Sequence, residues 1–388
     1  MKVAIVHDWL TGMRGGERCL EVFCELFPDA DLYSLLHVPG SVSPIIEKHA
    51  IHTSFIQHLP FSRSHYRYYL PLFPSAIESS FDLKGYELVI SSSHCVAKGV
   101  RIRKGTCHLA YIYTPMRYIW DQYDTYFAKR QAGWLKRVTM SLIRPHLQRW
   151  DVSSNDRVHF FVAISQHVAR RIQNYYGRKA TVIYPPLNWQ SFQASDRDDG
   201  FYLMVTAFAP YKRVDLAIEA ANRLKFRLKI VGSGQDEDQL KRMAGPTVEF
   251  LGWQPDPAVR GYYACCKSLI FPGEEDFGIV PLEAMACGKP VIAYGKGGVL
   301  ETVMPLNGSS TPLSRDPVTT STPTGVFFYE QTVQALTEAI HVFERNQDRF
   351  DPQVIRAQVA PFDRTYFKEN MRAFIDESYT QFHLTHVC

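Results

Sequence analysis

The stretch FPGEEDFGIVPLEAMACGKPVIA, residues 271–293, is the most informative part of the chain. It predicts the end of a buried strand, an acidic loop at Glu274–Asp276, and a helix that begins after Gly278. A glycine and a proline after Cys287 stop this helix. The next buried strand follows at Val291–Ala293. A strand, an acidic loop, a helix and a second strand are thus expected in direct succession.

The start of this helix suits a phosphate, because its first N–H groups are unpaired and its dipole end is positive. Carboxylates beside a bound phosphate cannot bind it, so they are expected to contact the hydroxyl groups of a sugar or ribose. Glu275 and Glu283 are the candidates for this role. The alternative is that one glutamate caps the helix and the other lies on a solvated face.

The whole stretch resembles the E-x7-E signature of retaining glycosyltransferases of family 4, which have the GT-B fold. The resemblance implies that Glu275 contacts hydroxyl groups of the donor sugar and that Glu283 contacts the ribose, both as catalytic residues. Glu274 competes for the first role, but the Phe-Gly pair that follows favours Glu275. The resemblance also implies three backbone amides that face the donor diphosphate, those of Phe277, Gly278 and Ile279.

Further segments resemble the donor-binding domain of the same family. Lys212 matches a lysine that holds the donor diphosphate, and it is therefore a candidate catalytic and donor-binding residue. The family arginine is missing, because Ala207 stands in its place, and Arg213 is a candidate to supply the charge. The positions where the family has nucleotide contacts are Gly232, Gly234, Phe250 and Leu251.

The first strand, Lys2–His7, leads into a glycine-rich loop and a helix, where a backbone can approach a phosphate closely. The loop lacks the G-x-G-x-x-G pattern, so a dinucleotide site is not favoured. It resembles the GG-x-E loop of family 4, which implies that the amides of Gly15 and Gly16 meet the donor phosphate. A plain tight turn is an equal alternative for the loop alone.

His94 follows the predicted strand Tyr86–Ser91 at its carboxyl end, where ligands of open α/β sheets gather. It is a candidate catalytic residue, and the alternative is a structural histidine. Many family members have a histidine after the next strand, but this chain has Tyr113 there, so that role cannot be transferred. Tyr113, His94 and Arg117 are the candidates to fill this space on the acceptor side.

Metal-dependent transferases use a D-x-D site, and two such patterns occur, at Asp29–Asp31 and Asp236–Asp238. The first precedes a strand and the second starts a helix, where acidic residues suit the dipole. Both are interpreted as structural, so no metal and no cofactor are expected. Lys212 and the helix end would stabilise the leaving diphosphate instead.

Composition bears on location and partners. A net charge of +4 gives no nucleic-acid signature, and no apolar run approaches the ~20 residues that span a bilayer. The first strand begins directly after Met1–Lys2, which predicts that no leader peptide precedes it. The eight cysteines include no C-x-x-C pattern, and several fall in apolar elements. These features favour a reduced, cytoplasmic protein.

Two segments are candidates for contact with a membrane. Every charged residue in Lys129–Arg149 is basic, with apolar residues between, which predicts adsorption to an anionic surface. The alternative is a surface helix whose arginine stems cover apolar area. The aromatic stretch Ser54–Ile77 has two equal interpretations, a pair of packed short helices or an acceptor- or membrane-facing surface. We expect a peripheral protein on the inner face of the cytoplasmic membrane.

The resemblance implies an α/β protein of the GT-B fold, with two Rossmann-like parallel-sheet domains that face each other across a cleft. We expect the acceptor-side domain at residues 1–187, a linker at 188–199 and the donor domain at 200–361. The last helix, 362–388, is expected to cross back to the first domain.

The segments HDWL, YTPMRY and PYKRVDLAIEA resemble bacterial enzymes of surface polysaccharide assembly, several of which use GDP-mannose. The resemblance implies transfer of mannose, with retention, from GDP-mannose to a glycan or lipid-linked oligosaccharide. Three alternatives stay open: a UDP-sugar-dependent transferase, a nucleotide-sugar epimerase, and a catalytically silent sugar-nucleotide-binding subunit. The missing family residues at Ala207 and Tyr113 favour the silent subunit, whereas the presence of Glu275, Glu283 and Lys212 argues against it.

Overall fold

A computed structural model describes residues 1–123, 134–306 and 322–386. The chain divides into two compact units. The first, called unit one, consists of Met1–Pro186 with Thr365–Cys388, and the second, called unit two, is Leu187–Arg364. The domain and linker boundaries derived from the sequence stay predictions.

Unit one is built around a seven-stranded parallel sheet with the strand order β3-β2-β1-β4-β5-β6-β7. Its central strands β1, β4 and β5 are buried, because helices cover both faces of a parallel sheet. The strands are β1 Val3–His7, β2 Asp31–Ser34, β3 Ile51–Thr53, β4 Leu88–Ser93, β5 Cys107–Ile112, β6 Phe160–Ala163 and β7 Thr181–Val182.

The register of this sheet brings the ends of three strands together. His7 lies opposite Ser92, and Ser93 lies opposite Ile112. Because the strands are parallel, the residues that follow β1, β4 and β5 emerge at one edge of the sheet.

The helices of unit one before its last are α1 Gly15–Leu26, α2 Pro44–Glu47, α3 Ser62–His65, α4 Phe73–Ser79, α5 Trp134–Ser153 and α6 Gln166–Tyr176, with 3-10 turns at Phe55–His58, Tyr66–Leu72, Ala97–Gly99 and Ser154–Arg157.

The aromatic stretch between β3 and β4 forms these short helices and turns. Tyr66 and Phe73 are buried in the core of unit one, where both pack on Trp9. Phe61, by contrast, is exposed and has a left-handed backbone with φ of 54°. The packed interpretation therefore holds for part of the stretch.

Unit two is built around a six-stranded parallel sheet with the strand order β10-β9-β8-β11-β12-β13. Its strands are β8 Phe201–Val205, β9 Arg227–Val231, β10 Val248–Gly252, β11 Ser268–Phe271, β12 Val291–Tyr294 and β13 Gly325–Phe328. Its helices are α7 Val214–Leu224, α8 Glu237–Met243, α9 Asp256–Cys265, α10 Ile279–Ala286, α11 Val333–Glu344 and α12 Pro352–Ala357, with 3-10 turns at Trp189–Ser191, Pro210–Lys212, Gly298–Glu301, Gln347–Arg349 and Ala360–Phe362.

The last helix, α13 (Arg364–His386), packs on unit one. The ring of Phe367 lies 5.9 Å from that of Phe23 and 5.6 Å from that of Tyr111. Arg372 donates a hydrogen bond to the carbonyl oxygen of Leu26 at 3.0 Å. The predicted fold class, two parallel α/β sheets with a last helix that returns to the first, is confirmed.

Two further observations concern the cysteines and the membrane. The seven cysteines within the described residues are free thiols, and six of them are buried. Over the same ranges of the chain, none of the helices combines the length and apolar character needed to cross a bilayer. Part of the predicted basic segment, residues 129–133, lies outside the described residues.

Candidate functional site

The loop of Glu275 lies between β11 and α10, and glycines fix its backbone. Gly278 precedes α10 with φ of 85°, a conformation that glycine adopts without strain. The amide of Gly298 donates to the carbonyl oxygen of Glu275 at 2.8 Å. A Cβ atom on Gly297 would lie 2.3 Å from that same oxygen, and one on Gly298 would lie 2.4 Å from the Cα of Phe277. The Gly297–Gly298 turn therefore supports the loop only because it has no side chains.

Lys212 and Glu275 form an ion pair, in which Nζ contacts Oε1. Both side chains are mostly buried, with exposed fractions of 18% and 12%. Lys212 ends a 3-10 turn between β8 and α7, and Gly273 lets this turn come close. A Cβ on Gly273 would lie 2.9 Å from the carbonyl oxygen of Tyr211. The two residues predicted to hold the diphosphate and the donor sugar thus contact each other.

Glu283 lies in α10 and is half-buried. The hydroxyl of Tyr263, a fully buried residue of α9, donates to Oε2 of Glu283 at 2.8 Å. Burial, followed by the nearby Glu283 carboxylate, raises the pKa of Tyr263 well above its ordinary value. The phenol therefore keeps its proton and acts as the donor in this hydrogen bond.

Arg213 is engaged within its own turn. Its guanidinium donates three hydrogen bonds to Asp215, two from Nε at 3.1 and 3.3 Å and one from a terminal nitrogen at 2.9 Å. A fourth, at 3.3 Å, goes to the carbonyl oxygen of Gln331. To bind a diphosphate, this side chain would have to leave Asp215. The role of Arg213 in place of the arginine missing at Ala207 stays a prediction.

The residues predicted to contact the nucleotide lie in the turn after β9 and in β10. Gly232 has φ of 137°, and a Cβ there would lie 1.7 Å from the carbonyl oxygen of Thr206. A Cβ on Gly234 would lie 2.5 Å from the carbonyl oxygen of Phe208. These glycines therefore let the turn after β9 pack on the loop after β8. Phe250 and Leu251 are half-buried in β10, with the ring of Phe250 5.8 Å from that of Phe208.

In unit one, Asp8 follows β1 and is fully buried. Its carboxylate accepts four backbone hydrogen bonds at 2.6–2.9 Å, from the amides of the four residues after β4. A charge removed from water requires such partners. The amides are those of His94, Cys95, Val96 and Ala97. One buried carboxylate thus holds the loop that carries His94.

The imidazole of His94 is held by the same residue. Its Nδ1 lies 3.1 Å from the Asp8 carboxylate, and its ring meets the edge of Trp9 at 4.3 Å between centroids. Burial lowers the pKa of His94 from 6.5, although the charge of Asp8 opposes this shift. The exposed fraction of the side chain is 26%. His94 is therefore a positioned histidine that favours the neutral form.

A chain of hydrogen bonds connects Tyr113 with the glycine loop. The Nδ1 of His7 lies 2.9 Å from the hydroxyl oxygen of Ser92, which lies 2.8 Å from that of Tyr113. The Tyr113 hydroxyl donates to the carbonyl oxygen of Gly16 at 2.9 Å. Gly15 and Gly16 begin α1, and a Cβ on Gly15 would meet open space. The structure thus brings Tyr113 to the loop predicted to bind phosphate.

Glu17 closes this cluster. Its carboxylate accepts a hydrogen bond from the amide of Arg14 at 3.0 Å and lies 3.8 Å from Nε2 of His7. Burial would raise the pKa of Glu17, but the hydrogen bond and charge of His7, together with the charge of His94 and a backbone hydrogen bond, hold the pKa below 4.5. Arg117 is half-buried in the loop after β5. No sequence motif predicted a role for His7, Asp8 or Glu17.

No group of three or more histidine, cysteine, aspartate or glutamate side chains is placed to hold a metal ion within residues 1–123, 134–306 and 322–386. The two D-x-D patterns have the local structure expected from the sequence. Asp31 begins β2, and α8 starts at Glu237. The expectation that the protein needs no metal stays a prediction.

Comparison with known proteins identifies the second half of the chain. Residues 188–357 match the family described as glycosyl transferases group 1. They form a group 1 glycosyltransferase domain. The loop of Glu275, Lys212 and Glu283 all lie within it. The family predicted from the sequence is confirmed.

Two curated relatives are similar to part of the chain. Human ALG2, an alpha-1,3/1,6-mannosyltransferase, is 30% identical over 214 residues, which cover 46% of this chain and 50% of that protein. A GDP-mannose-dependent phosphatidylinositol monomannoside mannosyltransferase of Corynebacterium glutamicum is 32% identical over 177 residues, with 37% and 46% covered. The chain spans about half the length of the curated relatives it matches.

The crystal structure of Anabaena HepE in complex with UDP superposes on the chain with a TM-score of 0.67. The match covers 97% of this chain and 100% of HepE, at 16% sequence identity. At this identity the likeness concerns the fold alone, and it confirms the GT-B prediction.

Proposed function

We propose that the protein is a retaining hexosyltransferase that moves mannose from GDP-mannose to a glycan or lipid-linked oligosaccharide of a surface polysaccharide. The observation that carries this proposal is the contact between Lys212 and Glu275 beside the start of α10. One is a candidate diphosphate ligand and the other a candidate hydroxyl ligand, so their contact supports a shared site for a sugar joined to a diphosphate.

The chemistry proposed for this site needs a stabilised leaving group. The Lys212 ammonium and the backbone amides at the start of α10 are suited to the charge that develops on the departing diphosphate. Glu275 would hold the donor sugar through its hydroxyl groups, and Glu283 the ribose. The bond between C1 of the sugar and the diphosphate oxygen would break as the acceptor oxygen bonds to C1 from the same face, and the departing diphosphate oxygen would take the acceptor's proton. Attack from the face of the leaving group gives retention.

The choice of GDP-mannose rests on the two mannosyltransferase relatives, one of which is GDP-mannose-dependent. A UDP-sugar donor is the second candidate, since a transferase of the same fold could use either nucleotide. A nucleotide-sugar epimerase would convert the donor without an acceptor, and a silent subunit would bind it without turnover.

The first experiment is a melting-temperature panel with GDP, UDP, ADP and their common sugars, with and without EDTA. A ligand at 100 times its dissociation constant adds about 2.7 kcal/mol of stability. The proposal expects the largest shift with GDP-mannose and the same shift in EDTA. A shift selective for UDP-sugars would replace the donor, and loss of the shift in EDTA would contradict the metal-independent mechanism.

We also propose that unit one adsorbs to the anionic inner face of the cytoplasmic membrane. Trp134, Val138 and Leu142 are exposed on α5 at intervals of four residues, so they share one face of the helix. Arg149 is exposed further along the same helix. An apolar face with a basic flank suits the interface of an anionic bilayer.

A matched pair of leucines tests this surface. Leu142 and Leu384 have exposed fractions of 76% and 72% and lie on different helices of unit one. Leu142→Gln is expected to lower binding to phosphatidylglycerol vesicles several-fold, since ~1 kcal/mol is lost with part of a leucine side chain, while Leu384→Gln has no effect. Equal binding of both variants would favour the alternative of an ordinary surface helix.

A further inference from the structure

Tyr263 is a buried residue outside every segment predicted to bind the donor. It lies in α9, its exposed fraction is 0%, and its ring lies 6.3 Å from that of Phe192. Its hydroxyl is 2.8 Å from Oε2 of Glu283. The only polar atom of this side chain is therefore directed at one of the two glutamates proposed to hold the donor.

The contact restricts a flexible side chain. A glutamate has several rotatable bonds, and ordering it costs up to ~2 kcal/mol of conformational entropy. The Tyr263 hydroxyl is a hydrogen-bond donor on a rigid, buried ring, and it holds Oε2 of Glu283 at 2.8 Å. Most of the side-chain freedom of Glu283 is therefore removed before any ligand binds. Rotation of the carboxylate is then limited, and the direction of its second oxygen, Oε1, is set as well.

We propose that Tyr263 is a positioning residue that orients the carboxylate of Glu283 towards the ribose hydroxyl groups of the nucleotide. Tyr263 thereby makes the protein prefer ribonucleotides to nucleotides that lack these hydroxyl groups. The inference rests on the proposed function, because it needs a nucleotide in this site.

The chain offers a matched control beside Tyr263. Tyr262 is the preceding residue of α9, half-buried, with its ring 5.6 Å from the ammonium of Lys229. Tyr263→Phe and Tyr262→Phe each remove one hydroxyl oxygen and keep the ring. Titration calorimetry of both variants and of the wild type with GDP and with 2′,3′-dideoxy-GDP measures the preference for ribose directly.

The proposal expects the wild type to bind GDP more tightly than dideoxy-GDP. Tyr263→Phe is expected to weaken GDP binding about three- to tenfold, the range of an ordinary lost hydrogen bond, and to leave dideoxy-GDP binding unchanged. Tyr262→Phe is expected to bind both as the wild type does. Equal weakening of both ligands by Tyr263→Phe would show a merely structural role, and no weakening of GDP would also overturn the proposal.

Loss of the Tyr263 hydroxyl beside the Glu283 carboxylate could prevent folding, so a second comparison uses Glu283→Gln, which removes the charge. Adding Tyr263→Phe to Glu283→Gln is expected to cause no further loss of the GDP preference, as two residues acting through one contact are not additive. A further loss would contradict the proposal. If the wild type bound no nucleotide, the proposed function would fail; if it bound GDP and dideoxy-GDP equally, only this inference would.

Discussion

In unit two the loop of Glu275 is held by backbone atoms that approach through glycines, whereas in unit one the loop of His94 is held by one buried carboxylate. A Cβ atom on Gly297 would overlap the carbonyl oxygen of Glu275. The Asp8 carboxylate, by contrast, collects four amides and the Nδ1 of His94. One loop depends on the absence of side chains and the other on the presence of a charge.

The two units are therefore expected to be destabilised by different changes. A close approach of two backbones is insensitive to pH but intolerant of added volume. A buried carboxylate and buried histidines respond to charge and to protons. Unit two contains one of the 14 histidines of the chain, His341, so the contrast also extends to the residues that titrate near neutral pH.

The largest effect is expected from Asp8→Asn. The amide keeps one acceptor oxygen and turns an NH2 group towards backbone N–H groups, so about 4 kcal/mol of unfolding free energy should be lost. Urea unfolding with hydrogen exchange of the β4 amides measures this loss. Asp29→Asn, at an exposed position, is the control. Equal unfolding midpoints for Asp8→Asn and wild type would contradict the role given to Asp8.

Gly297→Ala tests the opposite arrangement. The added Cβ would lie 2.3 Å from a backbone oxygen, so the loop of Glu275 must move, at a cost of about 3 kcal/mol. Binding of GDP-mannose should fall with it. Gly261→Ala, in α9 and with open space at its Cβ, should be neutral or slightly stabilising. A Gly297→Ala variant as stable as Gly261→Ala would show that the turn does not support the loop.

Acidification should affect unit one before unit two. His108 is fully buried in β5, and burial lowers its pKa to about 3. Below pH 6.5 the unfolded chain binds a proton that the folded His108 does not, so stability falls by about 1.4 kcal/mol per pH unit down to pH 3. The low pKa of Glu17 removes stability in the same direction at lower pH.

Hydrogen exchange at pH 6.5 and 5.5, corrected for the intrinsic rate, measures this difference on the whole protein. The β5 amides are expected to lose protection while those of β11 change less. His108→Gln should reduce the loss in β5. An equal pH dependence of the two strands would remove the contrast between the units.

The smallest effect is expected from Lys212→Ala. The net worth of a hydrogen bond reaches ~1.5 kcal/mol, so GDP should bind about tenfold more weakly. Lys241→Ala removes an exposed lysine that pairs with Glu237 on α8, and GDP binding should not change. If calorimetry gave the same affinity for both variants, Lys212 would lie outside the diphosphate site.

The same contrast explains what could be predicted from the sequence. One contiguous stretch contains the last residue of β11, Phe271, the first residue of α10, Ile279, and the first residue of β12, Val291. The structure has all three where the sequence pattern predicts them. Glycine and proline mark the ends of helices and strands within such a stretch, so these ends can be predicted without knowledge of the strand order.

The contacts of unit one are different, because they join residues far apart in the chain. Asp8 meets His94 only through the register of β1 and β4, which no local pattern encodes. In unit two, Tyr263 and Glu283 lie 20 positions apart on different helices, so no local pattern indicates their contact. The pairing of Arg213 with Asp215 joins residues two positions apart and was missed although it is local. An aspartate directly after an apolar strand is the sequence signal for Asp8.

The most direct test of the central claim, that unit two holds a nucleotide sugar through Lys212 and Glu275, is calorimetric titration of GDP-mannose and GDP in EDTA. The wild type is expected to bind GDP-mannose more tightly than GDP. Glu275→Gln should keep the affinity for GDP and lose the additional affinity contributed by mannose. Unchanged preference for GDP-mannose in Glu275→Gln would contradict the assignment of Glu275 to the donor sugar.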